Sequence, residues 1–88
     1  MTMKKLYIIQ ALTLADCVEP EIVVRDTKEG AIEWIDKFLI DNEKALAEDG
    51  FEFDEDYEYD CEYPFANISV DEANWQFTAA VDKIIEVE

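Results

Sequence analysis

At 88 residues the chain is read as one domain, and with half its residues apolar and 12% aromatic it holds enough for a modest core, which argues against full disorder. Seven Lys+Arg face 23 Asp+Glu, a net charge of −16, so the surface repels nucleic-acid phosphate and anionic lipid alike. With no histidine, His-based catalysis and His-ligated metals are excluded.

The imbalance is concentrated. Residues 1–44 hold 9 acids and 6 bases, whereas residues 45–88 hold 14 acids and the single base Lys83. Residues 48–62 carry nine acids and no base, a block whose self-repulsion opposes compaction. The two cysteines, Cys17 and Cys61, form no disulfide framework and read as two small half-buried core residues, with a bridge between them left to geometry. Lys4, Lys5 and the apolar run from Leu6 to Ala15 imitate a secretion signal, but Gln10 interrupts the run and Asp16 precedes Cys17. With no apolar stretch long enough to span a bilayer, a cytosolic protein is expected.

In chain order, Lys5 to Leu14 is apolar on both faces, as a central strand requires. Asp16 to Pro20 reads as a turn and Ile22 to Arg25 as a short second strand. Asp26 and Glu29 have capping-box spacing. Behind them Ala31, Ile35, Phe38, Leu39, Asn42 and Leu46 recur at helical period until Gly50, which predicts a helix over about Thr27–Asp49. Glu33 and Lys37 are an i,i+4 pair in the favourable order.

After Gly50 the period becomes two. Phe51, Phe53, Glu55, Tyr57, Tyr59, Cys61 and Tyr63 alternate with Glu52, Asp54, Asp56, Glu58, Asp60 and Glu62. The pattern predicts a half-buried strand with one carboxylate face, ordered near Tyr57–Tyr63 behind a looser lead-in and ended by Pro64. The closing segment fits a helix through Val70, Ala73, Phe77, Ala80, Val81 and Ile84, with Ser69 and Glu72 as its capping box. It also fits a strand through Trp75, Phe77, Ala79, Val81, Ile85 and Val87, interrupted at Lys83. β-branched and aromatic content favours a hairpin, with Ala66–Val70 as its first strand and Asp71–Asn74 as its turn. The expected fold is α+β: one long helix packed on an antiparallel sheet of four to five strands.

Chemistry is sparsely provided for. Ser69 has no base beside it, the cysteines have no neighbouring cation, and no glycine-rich phosphate loop exists, so no enzyme and no cofactor are expected. Asp54, Asp56 and Glu58 alternate like an EF-hand loop, but Tyr59 stands where glycine is needed and Phe65 where the bidentate Glu is needed. No dedicated metal site is expected.

The acidic strand is the candidate. Solubility alone would be served by mixed polar residues, yet all six outward positions are acids, and residues 45–82 supply no base to relieve them. Extended from Glu52 to Glu62, the row would span roughly 33 Å, close to the roughly 34 Å turn of duplex DNA. DNA carries a charge about every 1.7 Å, so Glu48, Asp49, Asp71 and Glu72 must add parallel rows. Arginine and lysine forks built for phosphate accept carboxylates in the same bidentate geometry. The expected partner-binding set is therefore Glu48, Asp49, Glu52, Asp54, Glu55, Asp56, Glu58, Asp60, Glu62, Asp71 and Glu72, with Tyr57, Tyr59, Tyr63, Trp75 and Phe77 assigned to the core.

Around the Thr27-Lys28-Glu29 helix start and the closing Trp75-to-Val87 strand, the sequence resembles small acidic proteins of bacterial phages and mobile elements. In size, charge and acidic sheet it is similar to DNA-mimic inhibitors of the anti-CRISPR and anti-restriction type. That resemblance implies a basic nucleic-acid-binding partner, such as a CRISPR effector or restriction nuclease, blocked stoichiometrically in the host cytoplasm. The rivals are an immunity or antitoxin protein covering a basic toxin, a soluble accessory domain with no acidic interface, and a divalent-cation binder.

Overall fold

A computed structural model describes residues 4–14 and 20–87; the expected turn at Asp16–Pro20, and any pairing of Cys17, fall on or depend on residues outside it. The elements are β1 (Lys4–Thr13), β2 (Glu21–Arg25), α1 (Lys28–Glu48), β3 (Asp54–Glu58), β4 (Phe65–Val70) and β5 (Trp75–Val87). The strands form one antiparallel sheet in the order β2-β1-β5-β4-β3, and α1 packs across β4, β5, β2 and β1 on one face. This is the α+β arrangement of one long helix on a five-stranded sheet. Among the described residues no helix is long and apolar enough to cross a membrane.

The helix starts one residue later than the capping box implies. Thr27, with extended backbone, is the N-cap, and its hydroxyl accepts from the Gly30 N–H at 3.0 Å. Asp26 instead meets Lys4 at 3.6 Å, the one ion pair among the described residues. Glu33 and Lys37 do not close on each other, because exposed i,i+4 pairs gain little over hydration. The helix ends at Gly50 in a Schellman motif. Gly50 N–H reaches the Ala47 carbonyl at 3.1 Å, Phe51 N–H reaches Leu46 at 3.0 Å, and Gly50 has φ +79°. An added Cβ at Gly50 meets nothing within 4 Å, so Gly50→Ala costs conformational energy alone. Urea denaturation should show a loss of about 1–2 kcal/mol.

The helix buries Ala31, Ile35, Leu39 and Leu46, the predicted stripe. Asn42, also in it, is half-buried and donates to the Phe38 carbonyl at 2.8 Å. Facing these are Ile9, Ala11, Ala66, Ile68, Val70, Ala79 and Val81, each at most 7% exposed. Phe51 and Trp75 close one end, with ring centroids 5.0 Å apart.

The β4–β5 hairpin turns at Asp71–Asn74, where Asn74 takes φ 56°, one of the few residue types that tolerate it. In β5 the predicted alternation breaks at a bulge: Ile8 pairs with Lys83 but Ile9 with Val81, which leaves Asp82 extra. The extra residue exchanges the faces beyond it. Ile84 therefore packs on the core, while Ile85, expected to face it, points to the other side and is 38% exposed.

Candidate functional site: an acidic edge

The carboxylate strand is shorter and earlier than its sequence pattern predicts. β3 ends at Glu58, and residues 60–63 form a bend before the buried Pro64. The Sγ of Cys61 lies 3.1 Å from the Tyr63 carbonyl within this bend, outside the core cluster. Asp60 and Glu62 are exposed on the bend rather than on a strand. Five strand residues reach about 13 Å, so the row does not extend to a full DNA turn.

The pairing fixes which way each acid points. Asp54, Asp56 and Glu58 lie opposite Ser69, Asn67 and Phe65, on the sheet face away from the helix. Glu55 and Tyr57 lie opposite the buried Ile68 and Ala66, on the helix side. Glu55 is thereby separated from the other β3 acids, although the sequence groups it with them. α1 does not pack its backbone on β3, so the helix side of this strand stays open and all five of its residues are exposed. Tyr57 is 54% exposed and Tyr63 44%, which corrects their assignment to the core; Tyr59, Trp75 and Phe77 are half-buried against it.

The remaining acids cluster at the β3 entry. A cavity of about 750 Å³ is lined by Phe51, Glu52, Phe53, Asp54, Ser69, Asp71 and Glu72. Four carboxylates and two phenyl rings thus share one lining, a combination that suits a cationic head on an apolar stem. Glu48 and Asp49 are exposed at the helix C-terminus, where the macrodipole already adds negative potential and no base occupies the last turn. None of these acids has a cationic partner within 4 Å among the described residues.

Sequence reasoning missed Glu43, because its partner is twelve positions away and no local pattern joins them. Beyond the end of β3 a side chain reaches back to α1: Tyr59 Oη donates to Asp36 at 3.4 Å, the Tyr59 ring stacks on Tyr57 at 5.4 Å, and its phenol is pushed up to about 12, by burial first and then by Asp36. Glu43 is pushed up to about 7 by a hydrogen bond shared with Glu55, then by burial and by the charges of Glu55 and Asp36. A folded value above the ordinary 4.5 means the native state holds a proton that the unfolded chain releases. The stability this confers is complete below about 4.5 and is lost as pH rises through about 7. The melting temperature should therefore fall between pH 5 and pH 8, and Glu43→Gln should flatten that slope and melt higher than the parent at pH 8. Parallel curves for the two proteins would contradict the shared proton.

Among the described residues no group of three or more Cys, Asp or Glu is gathered as a metal site. Comparison with protein-family models, curated proteins and solved structures returned no match.

Proposed function

We propose that the protein is a stoichiometric inhibitor that lays its acidic edge into the cationic groove of a nucleic-acid-binding protein and denies nucleic acid access. The observation that carries this reading is the set of exposed carboxylates on β3 and around the adjoining cavity, without cationic partners among the described residues. Such a set costs the folded chain self-repulsion and recovers it only against an opposing charge. A groove evolved for phosphate supplies that charge as arginine and lysine, in the geometry a carboxylate also satisfies. The 13 Å strand makes the mimic a compact patch: Asp54, Asp56 and Glu58 form one row, and Glu52, Asp71 and Glu72 flank it at the cavity. This patch is the size of a short phosphate cluster, such as the site where an effector reads a few base pairs, rather than a full helical turn.

The test is capture on the immobilised protein from a bacterial host lysate, followed by elution with duplex DNA and, separately, with rising salt. The expected result is a basic nucleic-acid-binding protein released by both, since duplex competes for the same groove and exposed charge pairs are screened. Captured proteins that neither DNA nor salt releases would overturn the proposal.

A further inference from the structure

The sheet face opposite the helix is not the polar surface that a solvated antiparallel sheet normally presents. Strand pairing orders it in rows. Val24, Ile8 and Lys83 lie side by side, and Ile22, Gln10, Ala80, Phe65 and Glu58 form a row that crosses all five strands. Leu12, Thr78, Asn67 and Asp56 make the next. At the β2–β1 end the face is mostly apolar, interrupted by Gln10, with Ile22 59% and Val24 47% exposed; at the β3 end every residue is an acid. Between the two, Asn67 Oδ1 accepts from Gln76 Nε2 at 2.9 Å and from Thr78 Oγ1 at 2.7 Å, and Asn67 Nδ2 donates to Ser69 Oγ at 3.3 Å. These four side chains hold one another in place before any partner arrives.

We infer that this open face is a docking surface for a protein that presents an apolar patch beside a row of arginines or lysines, so that the acidic edge is one border of a larger interface. The inference rests on the reading of the acidic edge given above and extends it to β4, β5, β1 and β2. Charge decides the occupant. A second copy would bring another −16 against the first, and anionic lipid would meet the same repulsion. Lys83, the cation on this face nearest the acids, lies two strands from β3, so neutralisation of Asp54, Asp56 and Glu58 has to come from the partner. An apolar centre bordered by charge is also the usual anatomy of a protein interface. Five strands are about 19 Å across, which a helix of about 13–16 residues spans.

Two synthetic helical peptides of that length test it. One carries leucines on one face of its first half and arginines on the same face of its second half; the other replaces the leucines by alanine. Binding to the full chain is read by calorimetry, and the contact surface by amide shift mapping. The leucine peptide should bind about tenfold tighter or better, with shifts at Ile8, Ile22 and Val24 as well as at Asp54, Asp56 and Glu58. Ile22→Ser/Val24→Ser, both exposed and expected to leave melting unchanged, should remove that advantage. Equal binding of the two peptides with shifts confined to β3 overturns the open-face inference and leaves the inhibitor reading standing. Binding that ignores charge reversal on β3 overturns both. Binding by neither peptide, shifts on α1, or self-association through this face in sedimentation overturns the inference.

Discussion

Ile68→Ala should remove a large part of the folding free energy. Ile68 is fully buried in β4, between Glu55 on β3 and Phe77 on β5, beneath the helix. Truncating a buried isoleucine costs about 2–5 kcal/mol, because the transfer energy is lost and the surroundings close only part of the cavity. A domain of this size is stable by roughly 5–10 kcal/mol, so the melting temperature should drop by about 10–20 °C. Ile22→Ala gives the contrast: the side chain is 59% exposed on the open face, and a change of at most about 0.5 kcal/mol is expected. Thermal melts of the two variants check both. Equal losses would mean that the two sheet faces are equally covered, which would also remove the open docking surface. The comparison bears on function because Ile68 lies between Asn67 and Ser69, whose side chains project the other way into the polar ladder.

The elements were legible where one local rule governed. The helix follows from a period of 3.6 that runs from Ala31 to Leu46 and from the glycine after it, and the Schellman contacts at Gly50 are that signal realised. The hairpin at Asp71–Asn74 follows from β-branched runs flanking turn residues. The errors arose where two rules competed or where the information was non-local. Thr27 and Asp26 both have capping chemistry, and a single ion pair to Lys4 sits on the one not used. The two-residue alternation continues unbroken to Tyr63, but a strand needs a neighbour, and of this run β4 pairs only with Asp54–Glu58. Alternation records which residues would share a face if the chain stayed extended, not where pairing stops. The bulge at Asp82 was visible as the interruption at Lys83, yet its effect on Ile84 and Ile85 depends on the register against β1. The acids of the site were legible as a set because charge needs no fold to be counted. Their division into a row, a cavity rim and a helix-side Glu55 was not, since that depends on the strand order β5-β4-β3. The apolar half of the open face was hidden for a related reason: a strand apolar on both sides reads as central, and β1 is central in the sheet but covered on one side only.

Asp54→Lys/Asp56→Lys/Glu58→Lys should separate binding from folding more sharply than any other change. The three side chains share one exposed face of an edge strand and make no ion pair or hydrogen bond among the described residues, so the fold loses no contact with them. Each reversal also moves the net charge of −16 two units toward zero, which relieves repulsion within the block from Glu48 to Glu62. The melting temperature should hold or rise. Binding should respond in the opposite sense. Each carboxylate that meets a partner cation contributes about 1.5 kcal/mol or more as a charge-assisted contact, roughly tenfold in affinity, so losing three should weaken the complex about a thousandfold before the new repulsion is counted. The parent complex should also weaken with added salt more steeply than the complex of any single-site reversal, because fewer charge pairs remain to be screened. Glu62→Lys on the bend is the single-site comparison: it makes one of these reversals away from the strand row, and a loss of about tenfold or less is expected. If that single change cost as much as the triple one, recognition would centre on the bend, and the ordered row on β3 would have no part in it. If the triple variant bound as the parent does while melting normally, the acids of β3 would face only water in the complex, and the inhibitor reading and the open-face inference would both fall.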